Sequence, residues 1–244
     1  MRITVLGSGD AFNSGGRRHS GYLVESGRTG FLLDCGATTL LALKDLKIPA
    51  ERIDFIAISH MHGDHFGGLP FFFLESLYQQ PRSRPLVITG PPNLQTRVES
   101  LYRAMFGELA ERPLTFPIVY RELRADCSAD VDRVELTPFV VPHLEKETCF
   151  GYRVRLDGKT LLYSGDCGWN ENLGHYSQGT DVFICECCYF DSLTPFHLSY
   201  PQLLRERDRL GCKRLVLSHL GREVLAHQKE IRFECAHDGC VLEV

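Results

Sequence analysis

A layered α/β fold is predicted for this chain of 244 residues. Three observations predict it. Short apolar runs of strand length, such as Phe55-Ile56-Ala57-Ile58 and Leu215-Val216-Leu217, recur between segments whose apolar residues keep helical spacing. Four apolar strands each lead into a ligand-type side chain, His60, His143, Asp166 or His219, so one rim of the sheets should gather them. The length and an apolar content of 43% allow a sizeable core in one domain, residues 1–244, and no repeat or linker interrupts it.

In chain order, residues 2–6, 21–25 and 30–34 read as strands. The loop between the first two, residues 7–20, is rich in glycine, but no fingerprint helix follows, so its glycines alone are a weak phosphate signal. Asp34-Cys35-Gly36 closes the third strand, and residues 37–47 are apolar at helical spacing up to Pro49. Asp34 could cap that helix. The next strand runs from Ile53 to Ile58 and opens onto Ser59-His60-Met61-His62-Gly63-Asp64-His65. Four potential ligands stand there within six residues. His60 and His62 can turn to one point, and Asp64 with His65 to a second. Imidazole and carboxylate together suit zinc, with manganese and iron as poorer fits.

Pro70 fits the first turn of a helix reaching about Gln80. A strand at 86–89, a helix at 93–106 and strands over 115–137 follow. His143 comes after the strand that ends near Pro142. Asp157-Gly158 is a two-residue hairpin signal joining 151–156 to 159–164, and the hairpin delivers Ser164-Gly165-Asp166. Residues 181–186 form a strand ending in Glu186, and Phe196-His197-Leu198-Ser199 precedes a helix over 200–210. A strand at 214–219 ends in His219. Residues 230–235 and 240–244, around His237-Asp238-Gly239, read as a closing hairpin.

The formal charge of −4 excludes a surface that is one phosphate-binding field, though not a local basic patch. No basic run exists beyond Arg17-Arg18. Phe71-Phe72-Phe73-Leu74 is far short of a membrane crossing, and no membrane partner is expected. The first residues alternate like a strand and lack a signal peptide's apolar core, so a cytoplasmic protein is expected. The ten cysteines are expected to be reduced, buried thiols, and no chemistry is assigned to them.

His60-Met61-His62-Gly63-Asp64-His65 resembles the His-x-His-x-Asp-His signature of the metallo-β-lactamase-fold hydrolases. The continuation Phe66-Gly67-Gly68-Leu69-Pro70 is similar, more narrowly, to the ribonuclease Z and phosphodiesterase branch. The resemblance covers essentially the whole chain. It implies a four-layer αββα sandwich and two metal ions, zinc foremost. One ion would take His60, His62 and His143, the other Asp64, His65 and His219, with Asp166 bridging. Asp64 would also orient the nucleophile or accept its proton. His197 stands where the family has a histidine that is not a ligand and serves the transition state or protonates the leaving oxygen, and Glu186 would hold it. The family often has His-Ser-Thr there, whereas this chain has His197-Leu198-Ser199. Asp34 would be a buried acceptor for a metal histidine, and Arg17 or Arg18 could meet substrate phosphate, against the plainer expectation of solvated arginines.

The resemblance implies hydrolysis, with phosphodiesters favoured by the Gly-Leu-Pro continuation and the Glu186/His197 pair. Residues 151–163 pass through a two-residue turn, leaving no room for the arm with which ribonuclease Z relatives grip transfer RNA. A small phosphodiester, such as a cyclic nucleotide, is therefore the expected substrate. Ribonuclease Z-type processing of transfer RNA 3′ ends is the alternative, and a homodimer whose partner subunit supplies the grip is left open. A thioesterase or lactonase would share all seven ligands. A diiron oxidoreductase usually has Glu where His62 stands.

Overall fold

The computed structural model describes residues 1–244. Six strands form most of a first sheet: β1 Arg2–Gly7, β2 Gly21–Ser26, β3 Thr29–Leu33, β4 Phe55–Ala57, β5 Leu86–Gly90 and β6 Ile118–Glu122. The following strands build a second sheet: β7 Ala129–Val131, β8 Val134–Val141, β9 Cys149–Leu156, β10 Lys159–Tyr163, β11 Val182–Glu186, β12 Arg214–Ser218 and β13 Glu234–Cys235. The last strand, β14 Val241–Glu243, returns to the first sheet. The spatial orders are β14-β1-β2-β3-β4-β5-β6 and β13-β12-β11-β10-β9-β8-β7.

Alternation along the strands decides the layers, because successive side chains point to opposite faces. Ile3, Val5, Tyr22, Val24, Phe31 and Leu33 pack inward against Val154, Leu161 and Ile184 of the second sheet. Their neighbours Leu6, Leu23 and Leu32 face outward into a separate cluster under the helices. Those helices are α1 Thr39–Asp45, the short α2 Gly63–Phe66, α3 Leu69–Leu74 and α4 Leu94–Phe106. Leu94, Val98 and Tyr102 repeat every four residues and make the buried stripe of α4. Three further helices, α5 Glu171–Ser177, α6 Tyr200–Glu206 and α7 Arg222–Ala226, cover the second sheet and bury Leu173, Leu203 and Val224. The architecture is the four-layer αββα sandwich. No helix is long and apolar enough to cross a membrane.

The Asp157-Gly158 turn forms as its sequence demands: both residues have positive φ, +48° and +74°, which a two-residue turn needs to match strand twist. The closing hairpin does not form. β13 pairs with β12 through Val216↔Glu234, whereas β14 pairs with β1 through Arg2↔Glu243, so the two lie in different sheets. The reason is the turn between them. Asp238 accepts hydrogen bonds from the Ser8 N–H (2.9 Å), the Ser8 hydroxyl (2.7 Å) and the Arg18 N–H (2.8 Å), anchoring the glycine-rich loop. The chain therefore crosses from layer to layer, and each short strand finishes an edge left open by an earlier one. The helix after Pro70 holds to α3 and then continues as a π-helical turn over Glu75–Gln79.

Candidate metal centre

Antiparallel pairing of β8 with β9 and of β9 with β10, then parallel pairing of β10, β11 and β12, makes β8, β10, β11 and β12 run in one direction. Their carboxyl ends share one rim, the usual place for ligand chemistry in α/β sheets. His143, Asp166, Glu186 and His219 stand on that rim, and His60 follows β4 on the facing sheet. Hydrogen bonds clamp the two sheets there. The Phe150 N–H donates to the Ser59 carbonyl (2.9 Å), Tyr152 to the Ile58 carbonyl (2.7 Å) and Tyr22 to the Ser218 hydroxyl (2.7 Å).

The structure brings the seven expected ligands together as two groups that share Asp166. Donor atoms of His60, His62, His143 and Asp166 lie within 4.8 Å of one another, as do those of Asp64, His65, Asp166 and His219. His65 Nε2 is 3.1 Å from Asp166 Oδ1 and 3.3 Å from Asp64 Oδ2. His219 Nε2 is 3.2 Å from Asp166 Oδ2. His62 Nδ1 and His143 Nε2 are 3.0 Å apart. Asp64 and His65 sit in α2 rather than in open loop, and His62 precedes its first turn.

Three of these atoms converge without pairing. His60 Nε2, His65 Nε2 and Asp166 Oδ1 are buried and make no aligned hydrogen bond, although carboxylate and imidazole are close enough to do so. An unsatisfied buried polar atom costs about 1–3 kcal/mol. Three of them would consume a large part of a stability of about 5–15 kcal/mol. Convergent imidazole and carboxylate donors fit divalent transition-metal ions, zinc above all, which would satisfy every one of them.

Three of the ligand imidazoles have their outer nitrogen held by the protein, as metal-ligating imidazoles require. His60 Nδ1 lies 3.0 Å from the Ser59 hydroxyl, His143 Nδ1 3.0 Å from the Phe196 carbonyl, and His65 Nδ1 2.6 Å from Asp34 Oδ2. Asp34 is the hub of this support. It also accepts from the Ser59 N–H and hydroxyl, both 2.7 Å, and from Tyr163 at 2.6 Å. Asp34 does not cap α1, whose first turn starts after Thr38. Its φ of +60°, like the +51° of His219, is left-handed, a strain that tends to persist at functional positions. Gly165, at φ +59°, is required: a Cβ there would stand 2.7 Å from the Phe150 carbonyl. Asp34→Asn is expected to keep the fold and weaken metal binding by roughly 10–100-fold, measured by competition with a chelating dye; unchanged affinity would deny Asp34 its supporting role.

Electrostatics keep the carboxylates charged. Burial pushes Asp64 up, but the His65 charge and the hydrogen bond from His219 hold it far below the usual carboxylate range. Burial likewise opposes ionisation of Asp166, and His219 with His65 outweighs it. Burial and the neighbouring His65 hold His60 well below the ordinary imidazole range, which leaves it neutral. Metal ligation needs charged carboxylates and neutral imidazoles, so a bound ion would displace the protons that the carboxylates hold on His65 and His219, both raised well above the ordinary imidazole range despite burial.

Beside the centre, His197 Nδ1 donates to Glu186 Oε1 at 2.9 Å. Glu186 is fixed in turn by the N–H groups of Cys167 (2.7 Å) and Leu198 (3.2 Å). The His197 ring stands 4.8 Å from that of His143 and 5.7 Å from that of His219. Burial lowers its pKa, but the hydrogen bond and charge of Glu186 prevail and raise it.

Arg17 and Arg18 do not face the centre and are not free in solvent. Arg17 donates to the Ser8 hydroxyl and the Ala236 carbonyl, and Arg18 pairs with Asp45. Two features escape sequence reasoning. Tyr163 and Ser59 complete the Asp34 hub, and the Cys188 thiol comes within 4.8 Å of ligand atoms of His197 and His219. Cys185 and Cys188 have Cys-x-x-Cys spacing, yet all ten cysteines are free thiols.

The family described as anti-Pycsar protein Apyc1 matches residues 1–236. Ribonuclease Z of Ignicoccus hospitalis is 30% identical over 247 residues, covering 97% of this chain and 79% of that protein. The probable metallo-hydrolase YhfI of Bacillus subtilis is 25% identical over 227 residues, 90% of this chain and 87% of the relative. Among solved structures, human tRNase Z, short form, superposes with a TM-score of 0.80 at 25% identity, over 100% of this chain and 99% of the other.

Proposed function

Because this chain belongs to the metallo-β-lactamase-fold hydrolases, in the family of the anti-Pycsar protein Apyc1, we propose that it is a dinuclear-metal phosphodiesterase acting on small substrates. The observation that carries this is the pair of ligand groups sharing Asp166 beside a carboxylate-held imidazole. When bound, two divalent ions lower the pKa of a water molecule and neutralise charge on the phosphoryl oxygens. The protein's own groups do the rest. Asp64 orients the attacking water and accepts from it. Glu186 holds Nδ1 of His197, so a proton on Nε2 makes the ring an imidazolium that can donate to the leaving oxygen. The raised pKa of His197 favours that charged form.

Purified, reconstituted protein is expected to carry about two transition-metal ions per chain, zinc foremost. Elemental analysis finding at most one would remove the bridging role from Asp166.

The two-residue turn between β9 and β10 favours a small diester, because it offers no arm to grip a folded RNA. The net charge of −4 points the same way, since phosphate contacts dominate nucleic-acid affinity. The ribonuclease Z relatives support a second reading, processing of precursor transfer RNA. The two are separated by comparing hydrolysis of an aryl phosphodiester and of cyclic nucleotides with trimming of a precursor transfer RNA. Faster turnover of the small diesters is expected. Site-specific trimming with negligible small-diester hydrolysis would establish the second reading instead.

A further inference from the structure

A cavity of about 450 Å³ lies on the outer face of the first sheet, and none of the seven expected metal ligands lines it. Its origin is the edge position of β6. Ile118 and Tyr120, two residues apart, face outward from that strand beside the buried stripe of α4, and they are only partly buried. A 3₁₀ turn over Gly107–Glu111 carries the chain back from α4, and its Ala110 lines the space. Four rings, Phe73, Tyr102, Phe116 and Tyr120, line it as well, and the volume is that of a small-ligand site. The Tyr102 hydroxyl is shielded from water and has no hydrogen-bond partner.

Two charges border the rings. Glu99 and Arg103 stand four apart on α4, the spacing of a helical ion pair, yet they do not pair. Gln95 Nε2 holds one Glu99 oxygen at 2.8 Å, and the Arg103 guanidinium has no partner. The Glu99 charge reaches the rings: burial raises the Tyr120 phenol, and Glu99 raises it further.

We propose that this cavity is a second small-molecule site, separate from the metal centre, for an aromatic zwitterion with the chemistry of a free aromatic amino acid. The ligand's ring packs among the aromatic side chains, where offset and edge-to-face contacts add to burial. Its carboxylate meets Arg103, whose planar fork suits that geometry. Its ammonium meets the open oxygen of Glu99. A hydrocarbon would leave both charges unmatched, and a simple acid would bring its charge beside Glu99. A ligand carrying both signs matches both. The site stands whether or not the metal centre cleaves phosphodiesters.

The test titrates L-phenylalanine, 3-phenylpropionate and 2-phenylethylamine calorimetrically into the metal-loaded protein. Wild type is expected to bind phenylalanine about fivefold more tightly than either analogue, the upper end of what an exposed ion pair contributes. Arg103→Gln should remove the advantage over phenylethylamine, and Glu99→Gln the advantage over phenylpropionate. Ala110→Phe should fill the cavity and abolish binding of all three, with thermal unfolding recorded on the same preparation. If that variant melts early, the two charge variants, at exposed positions, decide the matter. No binding of phenylalanine to wild type at millimolar concentration, or equal affinities for the three probes, would overturn the proposal. So would binding that survives in a folded Ala110→Phe, which would place the amino acid's chelating groups on the metal centre.

Discussion

Replacing Asp166 by Ala is expected to lower diester hydrolysis on the order of a thousandfold and to reduce bound metal from about two ions to at most one. The size follows from several kcal/mol of charge stabilisation supplied by a metal pair, at 1.36 kcal/mol for each factor of ten. The mechanism is local. Asp166 is the one side chain common to both ligand groups, with Oδ1 toward His65 and Oδ2 toward His60, His143 and His219. Its removal leaves each group one anionic donor short. Elemental analysis and steady-state kinetics on the same preparation decide the matter. Two retained ions would show that Asp166 does not bridge, whatever happens to the rate.

His197→Ala is expected to lower kcat for a cyclic nucleotide on the order of a hundredfold or more, while metal content stays at the wild-type level. Its ring neither contacts a shared carboxylate nor points Nδ1 at the ligand groups, because Glu186 holds that nitrogen at 2.9 Å. If the lost function is protonation of the leaving oxygen, the deficit should depend on the leaving group. A nitrophenyl ester, whose leaving oxygen needs no proton, should lose far less than a nucleotide. An equal deficit on both substrates would assign His197 to charge stabilisation instead. Loss of metal in this variant would make it a support of the ligands, and unchanged kcat on the nucleotide would leave it no part in the chemistry.

Much of the frame was legible in the sequence because its signals are local. The alternation in Arg2–Gly7 and the run at Phe55–Ala57 each state their own period, and Asp157-Gly158 states its own turn. The closing segment shows the limit of such reading. Residues 230–235 and 240–244 look like hairpin partners, but two sheet edges elsewhere compete for them, and Asp238 is engaged by Ser8 and Arg18. Edge competition is a property of the assembled layers, and no window of residues contains it.

The candidate site divides along the same line. The sequence by itself determined the donors: His60, His62, Asp64 and His65 sit within six residues, and His143, Asp166 and His219 each follow a strand. Only the tertiary structure decided how closely the donors approach one another and what steadies them. His60 and His143 are 83 positions apart, Asp64 and His219 155, and they meet because the two sheets are clamped face to face where these strands end. The Asp34 hub depends still more on folding, since Tyr163 reaches Asp34 across 129 positions from the opposite sheet. Spacing along a chain sets which atoms are available. Packing sets their distances, and it was the packing of two sheets at one rim that turned scattered donors into two converging groups.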